Sequence, residues 1–206
     1  SRSSADGASI DMSEKIIIRI GGLGESADTT EAHWAHADDE GAMLRTGHGT
    51  LREAAEAGAG CRVVVLVPGA DVLLTSADIP DQQRRQLMRV LPFALEEQLA
   101  ADVETLHFAA AAQTDGAGRT PVAVVARSRM DRWLALLQEA GLWPDVLLPD
   151  VLALPREAPG WSLMLETQGA LLRTGAAQGY AMDTEELDSL LPLALEQAGD
   201  ARPEYL

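Results

Sequence analysis

Residues 90–108 read VLPFALEEQLAADVETLHF. Just upstream, Leu87 opens an apolar series continued by Val90, Leu91, Ala94 and Leu95 at helical spacing, with Arg84, Arg85, Gln86 and Arg89 mostly off that stripe. The pattern predicts one amphipathic helix that delivers the chain into a strand. Asp78 is placed to cap it, and Pro80 suits its first turn. Each Leu or Val that this helix buries contributes about 1.5–3 kcal/mol. Pro92 removes one intrahelical hydrogen bond and is expected to kink or split the helix near residues 89–91.

Four acids follow: Glu96, Glu97, Asp102 and Glu104. Acid–base catalysis needs two carboxylates facing one cleft with separated pKa values. Glu96 and Glu97 are neighbours on a helix and diverge by about 100°. Two readings remain. The acids are a solvated face, as most charge runs are, or they dock a basic surface on a partner.

Outward from this segment, KIIIRI (15–20) reads as a buried strand. AHWAHAD (32–38) and AMLRTGHG (42–49) alternate weakly around a DDEG turn, giving a three-stranded antiparallel meander. TLREAAEAG is a short helix with Thr50 as cap, Glu53 three residues later and Gly58 at its end. CRVVVLVPG (61–69) has the run of aliphatics typical of a strand covered on both faces, and DVLLTSADIP supplies another strand. ETLHFAAAAQ and TPVAVVAR flank the loop TDGAGR as a hairpin. SRMDRWLALLQEAGL is a helix capped by Ser128, with Met130, Trp133, Leu134 and Leu137 on its face and Gly141 at its end. A short strand is expected at 146–148. WSLMLETQGALLRTGAAQGYAMD reads as two alternating runs around TQG, and TEELDSLLPLALEQ as a closing helix containing Pro192. Mixed sheets with helices, an α/β class, follow. The expected division is 12–91 as a first lobe and 92–206 as a second part. Residues 1–11 read as an appended or disordered leader, with Met12 as the natural start, and the end of the chain suggests a piece cut from something longer.

The 206 residues carry a net charge of −16, with 32 Asp and Glu against 16 Lys and Arg. Such a surface repels phosphate backbones and anionic lipid, so nucleic acid and direct membrane adsorption are poor partners. A basic protein partner is favoured. With four Trp, two Tyr and two Phe, the core must be built mainly from aliphatic residues. Cys61 is the single cysteine, so no internal disulfide is possible and no Cys-based metal site is expected. No run of about eighteen apolar residues appears.

Several stretches together resemble a known family. VVVLVPGADVLLTSADIP followed by RRQLMRVLPFALEEQLAADVETLHFA is similar to the cytoplasmic domain of the type II secretion protein L (GspL) family. VAVVARSRMDRWLALLQEAGLWPDVLLPDVLALP and GALLRTGAAQGYAMD fit the same family. The likeness spans roughly Met12 to Leu195 and is strongest between Val63 and Pro155. It implies actin-like (ribonuclease H-like) lobes on the cytoplasmic side of a bacterial inner membrane. It implies a non-enzymatic adaptor that recruits the secretion ATPase GspE through that enzyme's amino-terminal domain. A single membrane helix, pairing with a GspM-like platform protein and possible homodimerisation belong to the same expectation. Glu96, Glu97, Asp102 and Glu104 are the candidate partner-binding residues.

The actin-like resemblance raises an alternative, a nucleotide-binding ATPase of the PilM type. Its phosphate hairpins need a strand, a tight glycine turn and an acid. IIIRIGGLGES supplies Gly21, Gly22 and Gly24, but Arg19 and Ile20 stand where the acid is expected. LMLETQGALLRTG places Glu166 before Gly169, which suits a relic better; a hairpin turn explains both stretches equally well. No GxxxxGK[ST] or GxSxG pattern occurs. His33 and His36 point to opposite faces of a strand, with His48 on a neighbouring one, so one metal does not readily take both. His107 is read as a hydrogen-bonded strand histidine rather than a pH sensor. Cys61 precedes a buried strand without a nearby histidine. No catalytic residue, cofactor or metal is expected.

Overall fold

The computed structural model describes residues 14–156, 160–167, 169–199 and 202–203. The leader at 1–11 and the start at Met12 lie outside them. The first elements are β1 (Lys15–Ile20), β2 (Glu31–Ala37), β3 (Met43–Thr50), α1 (Leu51–Ala57) and β4 (Arg62–Val67). β5 (Val72–Ala77), α2 (Leu87–Leu95), β6 (Leu106–Ala110) and β7 (Thr120–Ala126) follow. α3 (Arg127–Ala140), β8 (Val146–Pro149), β9 (Ser162–Leu165), β10 (Gly169–Arg173), β11 (Gly179–Asp183) and α4 (Leu187–Ala198) complete the series.

The chain forms two compact units. Among the described residues, one takes those up to Leu66 together with Ala135–Leu147; the other takes Val67–Leu134 and those from Leu148 onward. The first of these units is discontinuous in sequence. The physical reason is that the chain after α3 returns to the β4 edge of the first sheet. There Asp145 donates its N–H to the Val63 carbonyl at 2.9 Å and accepts the Val63 N–H at 2.8 Å.

The first unit is built on a sheet of order β3-β2-β1-β4-β8. β1 pairs antiparallel with β2, β2 antiparallel with β3, and β1 parallel with β4. The expected meander is thus present. Ile16, Ile18 and Ile20 occupy one face of β1 and are fully or almost fully buried. α1 covers that core with Leu51 and Ala54. It starts in a reciprocal cap, where Glu53 donates its N–H to the Thr50 hydroxyl and Thr50 donates its N–H to the Glu53 carboxylate. Gly47 is required by close approach: a Cβ there would lie 2.5 Å from the Trp34 indole.

The second unit contains sheets of order β5-β7-β6 and β11-β10-β9. α2 buries Leu91 and Leu95 against Ala77, Ile79, Leu106, Phe108, Val122 and Val124. Its start differs from expectation. Residues 81–86 wind as a 3-10 helix, Pro80 takes the cap position without a side-chain cap, and Asp78 caps nothing there. α2 then runs unbroken through Pro92. The proline deprives only the carbonyl of Met88, an exposed residue in the first turn, so the helix survives. α3 begins at Arg127, which puts Ser128 inside the helix rather than at its cap. Its buried residues are Trp133, Leu136, Leu137 and Ala140, whereas Leu134 is exposed. The two runs expected around TQG are three strands, because the chain turns again at 175–178 before β11. Arg173 holds that turn: its guanidinium donates to the carbonyls of Leu152, Leu154, Gly175 and Ala176. A second core gathers Trp161, Ala170, Leu172, Met182 and Ala194.

The hairpin loop between β6 and β7 is organised by Asp115. Its Oδ1 accepts the N–H groups of Ala117 and Arg119, both at 2.9 Å, and its Oδ2 accepts the Ser76 hydroxyl. The Arg119 N–H, and then that of Ala117 and the Arg119 guanidinium, hold its pKa below the usual value against a smaller opposing effect of burial. A depressed carboxylate pKa stabilises the fold fully above the unfolded value of about 3.9, and that contribution fades as pH falls through the folded value. We expect the protection of the Ala117 and Arg119 amides, relative to their intrinsic exchange rates, to fall selectively on acidification below about pH 4. In Asp115→Asn it should already be lower at neutral pH and lose this acid-dependent step; unchanged protection in the variant would refute the assignment.

Candidate interaction surface

The acidic segment is not one helix. α2 ends at Leu95, and Glu96–Gln98 form a 3-10 turn. A second 3-10 turn, Val103–Thr105, is capped by Asp102, whose carboxylate accepts the Glu104 N–H at 3.0 Å. Glu96, Glu97, Asp102 and Glu104 are all exposed. In 3-10 winding Glu96 and Glu97 diverge by about 120°, so they still do not face one cleft.

The structure adds an apolar neighbour that the sequence reading left unnamed. Phe93 is 71% exposed and Met88 56%. Phe93 stands about 200° around the helix from the buried Leu91, on the outward side. Arg89 lies one turn before Phe93, and Glu96 and Glu97 come three and four residues after it. α2 and its extension thus show solvent a basic start, an aromatic middle and an acidic end. The signal was present: Phe93 lies off the line through Leu87, Leu91 and Leu95.

The glycine-rich β1–β2 loop is closed on itself. Gly21 donates its N–H to the Glu31 carbonyl at 2.8 Å, and Gly24 donates to the Thr30 hydroxyl at 3.1 Å. A Cβ on Gly24 would lie 2.3 Å from the Thr29 carbonyl. These glycines serve the tight loop, and the N–H groups of Gly21 and Gly24 already have partners. At the other candidate, Glu166 donates its N–H to the Gly169 carbonyl and accepts the Thr184 hydroxyl on its own carbonyl, a hairpin role. A cleft of about 510 Å³ in the second unit is lined by Gln98, Arg119, Thr174, Gln178, Tyr180 and Gln197 among others, with no acid.

His33 pairs directly across the sheet with His48, their rings stacked with centroids 6.2 Å apart. His36 is buried and lies on the opposite face from His33, as its spacing predicts. One expectation is corrected here. Cys61 does have a histidine nearby: its Sγ lies 3.9 Å from His36 Nδ1. The contact is non-local. It arises because β1 aligns His36 of β2 and the entry to β4 on its two sides, which no local pattern reveals. Arg45 places Nη2 3.2 Å from the same Nδ1, and Glu14 Oε2 lies 3.8 Å from it. Burial, then the Arg45 charge, holds the His36 pKa below the usual imidazole value, opposed by Glu14. Arg45 itself sits within β3.

The family model for type II secretion system (T2SS), protein L, matches residues 18–199. A type II secretion system protein L from Dickeya chrysanthemi is 36% identical over 185 residues, covering 86% of this chain and 44% of the relative. One from Klebsiella pneumoniae is 37% identical over 177 residues, covering 85% and 40%. The chain thus spans about two fifths of the length of these curated relatives. Among solved structures, the cytoplasmic domain of EpsL, an inner membrane component of the type II secretion system of Vibrio cholerae, matches with a TM-score of 0.69 and 31% identity, over 86% of this chain and 74% of that one. The PilM–PilN type IV pilus biogenesis complex matches with a TM-score of 0.53 at 15% identity, over 93% and 67%, a likeness of fold alone. The fold is actin-like and α/β.

Phe93 and Leu95 give contrasting expectations. Phe93→Ala should change the unfolding free energy by less than about 0.5 kcal/mol, as surface substitutions do. Leu95→Ala, at a position with no exposure, should lower it by about 2–5 kcal/mol. Urea denaturation of both variants checks this; a large loss at Phe93 would mean the ring is part of the core.

Proposed function

Because this chain belongs to the type II secretion system protein L family, we propose that it is a non-enzymatic adaptor that brings the secretion ATPase GspE to the inner membrane through the amino-terminal domain of that enzyme. The observation that carries the reading is the outward Phe93, 71% exposed, followed in the chain by the exposed Glu96, Glu97, Asp102 and Glu104. A buried aromatic is a common energetic anchor of an interface, and rim charges steer encounter more than they hold the complex. Phe93 is assigned the first role and the four carboxylates the second, toward a basic face of the ATPase domain. The net charge of −16 favours the same kind of partner. A GspM-like platform protein and self-association belong to the full-length setting of the family. No helix among the described residues is long and apolar enough to cross a membrane.

The expected result is a co-eluting complex with the amino-terminal domain of a cognate ATPase. Phe93→Ala should weaken it mainly through faster dissociation. Reversing Glu96, Glu97, Asp102 and Glu104 to Lys should slow association about tenfold or more at low salt and much less at high salt. Stopped-flow mixing separates the two effects; an unchanged association rate removes the carboxylates from the interface, and absence of any complex removes the adaptor. The closed glycine loop bears on the PilM-type alternative. Mg-ATP is expected to leave Tm unchanged, whereas a ligand at a hundred times its Kd would add about 2.7 kcal/mol of stability.

A further inference from the structure

We propose that Glu14, His36 and Cys61 form a binding site for a divalent cation of the zinc class, which would tie together the ends of three neighbouring strands. The register of β1 makes the site. Ile16 is level with His36 of β2, and Lys15 with Arg62 of β4. Glu14 and Cys61, one residue before each of the latter pair, therefore arrive together beside the imidazole. The three potential ligand atoms all lie within 4.8 Å of one another. His36 Nδ1 is 3.9 Å from Cys61 Sγ and 3.8 Å from Glu14 Oε2.

Those separations are close to what the cation requires. Zinc bonds of about 2.3 Å to sulfur and about 2.0–2.1 Å to nitrogen and oxygen, at tetrahedral angles, set neighbouring ligand atoms about 3.4–3.6 Å apart. The two His36 edges need a contraction of a few tenths of an ångström, and the Glu14–Cys61 edge, at most 4.8 Å, must close with them. The donor set of one sulfur, one nitrogen and one oxygen suits zinc, and cobalt(II) as its spectroscopic stand-in, and does not suit calcium or magnesium. A solvent molecule takes the fourth position. His36 is 1% exposed, so its ring is fixed by packing rather than free to turn away.

Arg45 identifies the ligating atom. It stands opposite His36 in the sheet, with Nη2 3.2 Å from His36 Nδ1 and 3.6 Å from Glu14 Oε2. A guanidinium only donates hydrogen bonds, so Nδ1 carries a lone pair aimed into the cluster and the ring proton is on Nε2. The Arg45 charge stands in for the cation. Its side chain is 63% exposed, so it can swing into solvent when the ion enters. The Cys61 thiol then binds as thiolate, and its proton passes to solvent.

The test is titration of the 206-residue chain with cobalt(II). One equivalent should produce a thiolate-to-cobalt charge-transfer band and the intense visible bands of tetrahedral cobalt, both displaced by one equivalent of zinc. Zinc should also shield Cys61 from alkylation and raise Tm by several degrees. Cys61→Ser and Glu14→Gln should each weaken zinc binding more than about tenfold. Arg45→Met, which removes the competing charge, should tighten it. His33→Ala/His48→Ala should leave the charge-transfer band intact, separating this site from the exposed histidine pair. Absence of the band in both the natural chain and Arg45→Met would overturn the proposal. So would an equal zinc-induced Tm rise in folded Cys61→Ser. The alkylation readout on the natural chain decides the matter even if a ligand variant fails to fold.

Discussion

The double pairing of β1 is the constraint on which the first sheet depends. One side of this six-residue strand binds β2 antiparallel and the other binds β4 parallel. Strand side chains alternate, so fixing Ile16, Ile18 and Ile20 inward fixes the faces of both neighbours. Trp34 then falls over Gly47, and Gly58 at the end of α1 lies against Ile16, where a Cβ would come within 2.8 Å of that side chain. A slip of one residue would turn the isoleucines outward and bring Lys15 and Arg19 into the core. The same register decides which polar groups meet at the strand ends, so packing and the Glu14–His36–Cys61 contact have a common origin.

Much of this was legible locally. The alternation in KIIIRI, the Thr50–Glu53 spacing and the hairpin around TDGAGR each name an element without reference to distant residues. The four carboxylates were legible as surface, because adjacent positions on any helix diverge. What escaped was of two kinds. The first is fine winding: residues 81–86 and 96–98 choose 3-10 over α geometry, a small energetic difference that a hydrophobic pattern does not report. For the same reason the cap moved off Asp78, and Ser128 fell inside α3. The second is non-local assembly. Cys61 and His36 are 25 residues apart and meet through β1, which lies between their strands. The return of Asp145 to Val63 spans 82 residues. The exposure of Leu134 likewise depends on what packs on α3, since Leu134, Leu136 and Leu137 are alike in type.

The proposed adaptor role rests on the family together with the local geometry. The glycine loop is spent on its own backbone, and the acids lack the facing geometry of a catalytic pair. What α2 and its extension offer is a graded outer surface in which sequence order sets charge order. The actin-like likeness concerns the scaffold; the surface features lie on parts of that scaffold that a partner can reach.

Among the described residues the first sheet also has a free margin. β3 is its last strand on one side, and Met43 and Leu44 are 70% and 51% exposed there. Unpaired strand margins invite a second chain to add alongside, the usual beginning of aggregation. Here the margin opens directly after Asp38, Asp39 and Glu40, and β2 and β3 slip register between His36 and Ala37. Like charges on an approaching copy and a locally uneven ladder both discourage such growth. Neutralising that acidic turn would therefore shorten the shelf life of concentrated stocks without touching any buried residue.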